Sequence, residues 1–185
     1  PRYSDERVRR SMSEYTERFD GVRRGKVQKY RPAVLLLVPL AAILFQFYAR
    51  RLFPFFENLS LPLLVTVYFS LMRRVPVLGI LIGCAIGLFQ DAIDGQPLGV
   101  YGITLTLVGY FAASMSMKID AENPAVRLFL SAFFFFFHQV FYWLLVRALL
   151  GLDHPFQLAN QLVLGVLNAA IGLPLFAGFD KLREK

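Results

Sequence analysis

Residues 76–110 read PVLGILIGCAIGLFQDAIDGQPLGVYGITLTLVGY and hold seven of the thirteen glycines in the chain. Gly79, Gly83 and Gly87 recur every fourth residue, so a helix carries them on one face, with Gln90 on that face and Asp91 at its edge. Gly95 and Pro97 then interrupt the helical pattern. A second small-residue face follows, made by Gly99, Gly102, Thr106, Gly109 and Ala113. The stretch predicts two membrane helices joined by a tight turn, with a carboxyl group near the turn. In lipid the hydrophobic effect does not draw helices together, whereas small residues at GxxxG spacing let backbones approach closely. Two readings of the glycine faces follow: the two helices pack on each other, or the groove receives a partner's single span.

Outward from this stretch the chain divides into six apolar blocks, at roughly 33–49, 59–72, 76–93, 98–116, 126–149 and 157–177. Each starts at or near a proline: Pro32, Pro62, Pro76, Pro97, Pro124 and Pro155. Proline suits the first helical turn, where its missing N–H is not needed. Strand alternation is absent, which excludes a membrane β-barrel. The expected fold is all-α, a polytopic membrane protein with six transmembrane helices over residues 32–180. The second block, Leu59 to Met72, falls short of the roughly 20 residues of a straight span. It either recruits the aromatic segment Leu52 to Phe56 or is partly re-entrant.

Charge placement predicts orientation. Net charge is +7, and seventeen of the twenty Lys and Arg fall in residues 1–31, Arg73-Arg74, the loop with Lys118 and Arg127, and residues 181–185. Only Arg50, Arg51 and Arg147 fall at the opposite ends of the blocks. The positive-inside rule then puts both termini in the cytoplasm and explains the basic balance without nucleic acid. Residues 1–31 form a basic cytoplasmic tail in which Val8, Met12, Tyr15 and Phe19 fall at helical spacing. That spacing fits a short amphipathic helix on the inner membrane surface or on a partner; a tail that only fixes orientation fits equally. Residues 181–185 form a short cytoplasmic end. Cys84 is the single cysteine, so no internal disulfide forms, and its apolar surroundings predict a buried, inert thiol.

Chemistry has few places to sit. There is no HExxH, G-x-S-x-G or phosphate-binding loop, and His138 and His154 lie in different segments without ligand spacing. No catalytic residue, cofactor or metal site is expected. Asp91 falls about 22 Å along its helix, near the outer edge of the hydrocarbon, where a carboxyl group needs water or a partner. It is read as a helix-end carboxylate in interfacial water, as half of an outer-end polar site with Arg147 or a partner's basic residue, or as a proton or cation site. Asp94, directly before Gly95, is expected to be hydrated. Ser131, His138 and Tyr142 share one face of the fifth block, with Gln139 beside them; Gln161, Gly165, Asn168 and Gly172 share one face of the sixth. Both faces read as polar glue between helices, with a ligand pocket at the outer end as the alternative.

The segment from Leu59 to about Asp180 resembles the MreD family of the bacterial rod-shape, or elongasome, system. The resemblance is carried by PLLVTVYFSLMRRVP, by the glycine-rich span after it, and by Asp91, Gly95, Pro97, Leu98, Gly99, Gly109 and Tyr110. It implies a non-enzymatic scaffold in the cytoplasmic membrane, multi-pass, working chiefly with MreC. It further implies links to MreB filaments, RodZ, RodA and a class B penicillin-binding protein. The family's layout is similar to that of the substrate-binding subunits of energy-coupling-factor vitamin transporters. That similarity implies a runner-up, a small-molecule binding subunit with an outward-facing pocket. On the scaffold reading, Gly79, Gly83, Gly87, Gly99, Gly102 and Gly109 form a helix-packing or partner interface.

Overall fold

The computed structural model describes residues 32–53, 58–95, 99–119, 123–151 and 157–181. The expected tail helix over Val8 to Phe19, the prolines Pro97 and Pro155, and His154 lie outside the described residues. The protein is an all-helical, polytopic membrane protein. Its six described helices are α1 (Pro32–Leu52), α2 (Leu61–Arg73), α3 (Pro76–Asp94), α4 (Val100–Ser116), α5 (Pro124–Leu150) and α6 (Leu158–Asp180). Pro32, Pro76 and Pro124 open α1, α3 and α5, and Pro62 is the second residue of α2. There the absent N–H is one that no helical carbonyl would have met. Four helices, α1, α3, α5 and α6, are long and apolar enough to cross a membrane.

The short second block is the centre of the molecule. α2 has 13 residues, and every one from Leu61 to Met72 is buried. At 1.5 Å per residue it is about 20 Å long, against a hydrocarbon thickness of about 30 Å. It touches each of the other five helices. A helix that is apolar all round belongs inside a bundle, so α2 meets protein where a lipid-facing span would meet acyl chains. Its largest residues, Tyr68 and Phe69, pack on α6, with Tyr68 ring centroids 5.2 Å from Phe176 and 5.1 Å from Phe179.

The start of α2 is largely enclosed by neighbouring helices, with Leu59 and Leu61 buried, so its first backbone groups need protein partners. Side chains from two spans supply them. Gln46 Oε1 of α1 accepts the Leu61 N–H at 2.8 Å. Asn168 Oδ1 of α6 accepts the Ser60 N–H at 2.8 Å, while its amide donates to the Asn58 and Leu164 carbonyls, each at 2.9 Å. The buried hydroxyls of Thr66, Thr104 and Ser116 donate back to carbonyls of their own helices. At its other end α2 stops at Arg74, which takes the left-handed conformation (φ 52°) and makes a tight corner into Pro76.

α3 and α4 form the closest pair. A Cβ added at Gly79 would overlap the Gly109 carbonyl, one at Gly83 the Leu105 carbonyl, and one at Gly87 the Tyr101 carbonyl. Each four-residue step up α3 thus meets a four-residue step down α4, in an antiparallel register centred on the turn. α3 ends at Gly95 in the left-handed conformation (φ 64°), and α4 starts after Gly99 at φ 105°. Both values favour glycine, which has no Cβ to clash. Of the run Phe133 to Phe137, Phe134 and Phe135 face the core and Phe133 faces outward. Cys84 is half-buried on α3 and not the fully buried thiol that its apolar surroundings predicted.

Candidate functional site

Two polar constellations, a small polar cavity and one groove stand out from this apolar frame. The first lies at the turn between α3 and α4. Asp91 has no exposed surface, and its oxygens accept three backbone N–H groups. Oδ2 meets Gly99 N at 2.9 Å and Gly102 N at 3.1 Å, and Oδ1 meets Tyr101 N at 3.1 Å. These are groups that the start of a helix leaves without carbonyl partners, and the positive end of the helix dipole favours a carboxylate there. Asp91 therefore caps α4 from the end of α3. It does not stand in interfacial water.

The structure does not bring Asp91 and Arg147 together. Arg147 is exposed on the last turn of α5, and its guanidinium lies over the Trp143 ring at 5.4 Å. Among the described residues no ion pair joins the two. The carboxyl group that does take a guanidinium is Asp94. It pairs with Arg50 Nη1 at 3.3 Å and accepts from Gln90 Nε2, so it is a partnered group and not a merely hydrated one. Arg50, on the last turn of α1, thereby ties α1 to the end of α3.

Beside this pair, a cavity of about 20 Å³ lies among Gln46, Arg50, Ser60, Gln90, Tyr101 and His138. His138 is 3% exposed and stacks on Tyr101 at 5.5 Å and on Tyr142 at 6.1 Å. Next to it, Gln139 donates to Gln161 Oε1 at 2.8 Å, linking α5 to α6.

The second constellation sits at the opposite end of the bundle. Arg127, in the first turn of α5 and 7% exposed, donates to Asp180 Oδ2 at 2.6 Å. The Tyr68 hydroxyl of α2 donates to Asp180 Oδ1 at 2.7 Å. This cluster joins the start of α5, the end of α6 and the central helix.

The glycine faces contain no open docking surface. The face of Gly79, Gly83 and Gly87 is filled by α4. Gly102 meets the Leu88 side chain, and Gly109 meets Gly79. Gly99 does not share in this packing: a Cβ there has open space around it, and its role is the positive φ. The open concavity is elsewhere, between α1 and α3. It has a volume of about 530 Å³ and an apolar lining that includes Leu36, Pro39, Ile43, Leu81, Ala85 and Phe89.

Comparison with protein families gave one finding. Residues 29–183 match the family model described as rod shape-determining protein MreD. The chain belongs to the MreD family. No curated protein and no solved structure matched it. Membership in MreD carries a role in rod-shape determination for the family as a whole.

Of the residues that carried the likeness to MreD, Asp91, Gly95 and Gly99 together build the turn, and Gly109 is part of the helix contact. Tyr110 is 41% exposed and stands edge-on to Phe111 at 5.3 Å. Pro97 and Leu98 lie outside the described residues. The cluster of Arg127, Asp180 and Tyr68 went unnoticed in the sequence, though a signal was there. Stepping back four residues from Ser131 along its face reaches Arg127, and stepping on by fours from Gly172 reaches Phe176 and then Asp180. Both charges lie on faces already read as inward.

Proposed function

We propose that this MreD-family chain is a non-enzymatic scaffold of the cell-elongation machinery. It resides in the bacterial cytoplasmic membrane with both termini inside, binds MreC, and helps couple MreB filaments to peptidoglycan synthases. The observation that carries the reading is the family match over residues 29–183. At the outer end, where the runner-up needs its pocket, the geometry supports the scaffold. Small-molecule pockets enclose about 300–1,000 Å³, whereas the polar cavity among α1, α3, α4 and α5 has about 20 Å³. A vitamin-sized ligand does not fit there.

The groove between α1 and α3 is where the single span of MreC docks. Its lining runs from Leu35 to Ile43 on α1 and from Leu81 to Phe89 on α3, about 12 Å of each helix. That length accepts two turns of an apolar helix. Pro39 and Ala85 leave the groove walls low, so a third backbone can come close. The glycine face offers no such room, since α4 already fills it.

The test is co-purification of MreC from the native host with the wild-type chain and with Ala85→Trp. Ala85 is exposed in the groove, so tryptophan fills the space without entering the core. The expected result is strong MreC recovery with wild type and at least a tenfold loss with the variant, with the helical signal unchanged. Undiminished recovery with Ala85→Trp would move the contact elsewhere. Absence of MreC from the wild-type preparation would sink the scaffold reading itself.

A further inference from the structure

The cavity of about 20 Å³ is lined by polar groups that the protein itself leaves unpartnered. His138 has both ring nitrogens buried without a hydrogen-bond partner, and Gln90 Oε1 and Arg50 Nε are in the same condition. All three residues line this one cavity. His138 and Gln90 are each 3% exposed, so neither reaches bulk solvent. Leaving such groups unpaired away from water costs about 1–3 kcal/mol each, which makes three unpaired at one place an unstable arrangement.

The chemistry of the three groups selects what fills the space. Gln90 Oε1 is an acceptor, the Arg50 Nε–H is a donor, and a neutral imidazole offers one of each. A cation would face the Arg50 guanidinium. An anion would face the Gln90 carbonyl oxygen and the Asp94 carboxyl group, which pairs with Arg50 at 3.3 Å. Only a small neutral molecule that both donates and accepts satisfies the set. A cavity needs about 10–15 Å³ to take one water, and the water needs two to four polar partners.

We propose that this cavity binds one ordered water, which donates to Gln90 Oε1 and to the bare nitrogen of His138 and accepts from Arg50 Nε. The water is the node at which α1, α3 and α5 meet.

The experiment uses full-length protein in lipid nanodiscs, labelled with nitrogen-15 histidine in a His154→Gln background that leaves His138 as the single histidine. The expected spectrum shows a neutral His138 ring with a cross-peak to a slowly exchanging water, and this cross-peak disappears in Gln90→Met. A wild-type ring that gives cross-peaks to protein protons alone overturns the proposal, as does a stoichiometric organic molecule found by mass spectrometry of the gently purified protein. Thermal unfolding adds a second readout should a variant be too unstable for spectroscopy. His138→Phe and Gln90→Met each lower Tm, and the double variant is expected to fall no further than the worse single one, because both remove the same node. Fully additive losses would mean that the two residues share nothing.

Discussion

Asp91 shows how a carboxyl group can be wholly buried in a membrane helix pair without a cation beside it. Its two oxygens collect the N–H groups of Gly99, Tyr101 and Gly102, which no helical carbonyl could reach. The sequence placed this residue near the turn and gave it three alternatives, of which none was the backbone. That was not legible because a backbone N–H has no letter in the sequence; only the path of the chain through Gly95 and Gly99 aims those groups at Asp91. The consequence is measurable. Asp91→Ala leaves three backbone donors, one buried and two partly buried, without their acceptor, and the loss is expected to be on the order of 2–4 kcal/mol in unfolding experiments. Asp91→Asn keeps one oxygen and should lose about half as much. Equal stability of Asp91→Ala and wild type would show that the turn is held by something else.

At the scale of elements, the α3–α4 hairpin was legible because glycine at fixed spacing has one physical use in lipid, close backbone approach. Its register was not legible, since any of several four-residue offsets gives an equally small face. The structure selects the one that sets Gly79 against Gly109 and Gly83 against Leu105. Glycines that look alike in sequence therefore differ in what they tolerate. Gly83→Ala puts a methyl group into the Leu105 carbonyl, which no rotamer can relieve, and should cost about 1–3 kcal/mol. Gly178→Ala, in α6, meets nothing within 4 Å and should be neutral or gain up to about 1 kcal/mol from helix propensity. Thermal melts of the two variants side by side separate packing from propensity, and similar losses in both would remove the packing argument. α2 was the reverse case. Its shortness weakened its reading as a span, yet a short helix can be central when Gln46 and Asn168 receive its first backbone N–H groups.

Across the whole molecule, a partly buried ion pair stands at each end of the bundle. Arg50 and Asp94 join α1 to α3, and Arg127 and Asp180 join α5 to α6, with Tyr68 bringing in α2. α3 and α4 are locked by backbone contact and α2 by burial, and these pairs add polar ties to the three remaining spans. They also share a cost, since two charges must leave water and their attraction offsets that loss only when both are present. Asp180→Ala removes the carboxyl group facing the Arg127 guanidinium and the acceptor of the Tyr68 hydroxyl, and is expected to lower stability by about 3–5 kcal/mol. Replacing both charges, as Arg127→Met with Asp180→Leu, should recover most of that, because apolar side chains of similar volume often match a buried pair. Chemical unfolding of wild type, Arg127→Met, Asp180→Leu and the double variant forms a closed cycle. A double variant more stable than Asp180→Leu alone would show that the two charges depend on each other and that the pair adds little net stability. A double variant that loses the sum of both singles would show that each charge is anchored independently, by groups other than the one opposite it.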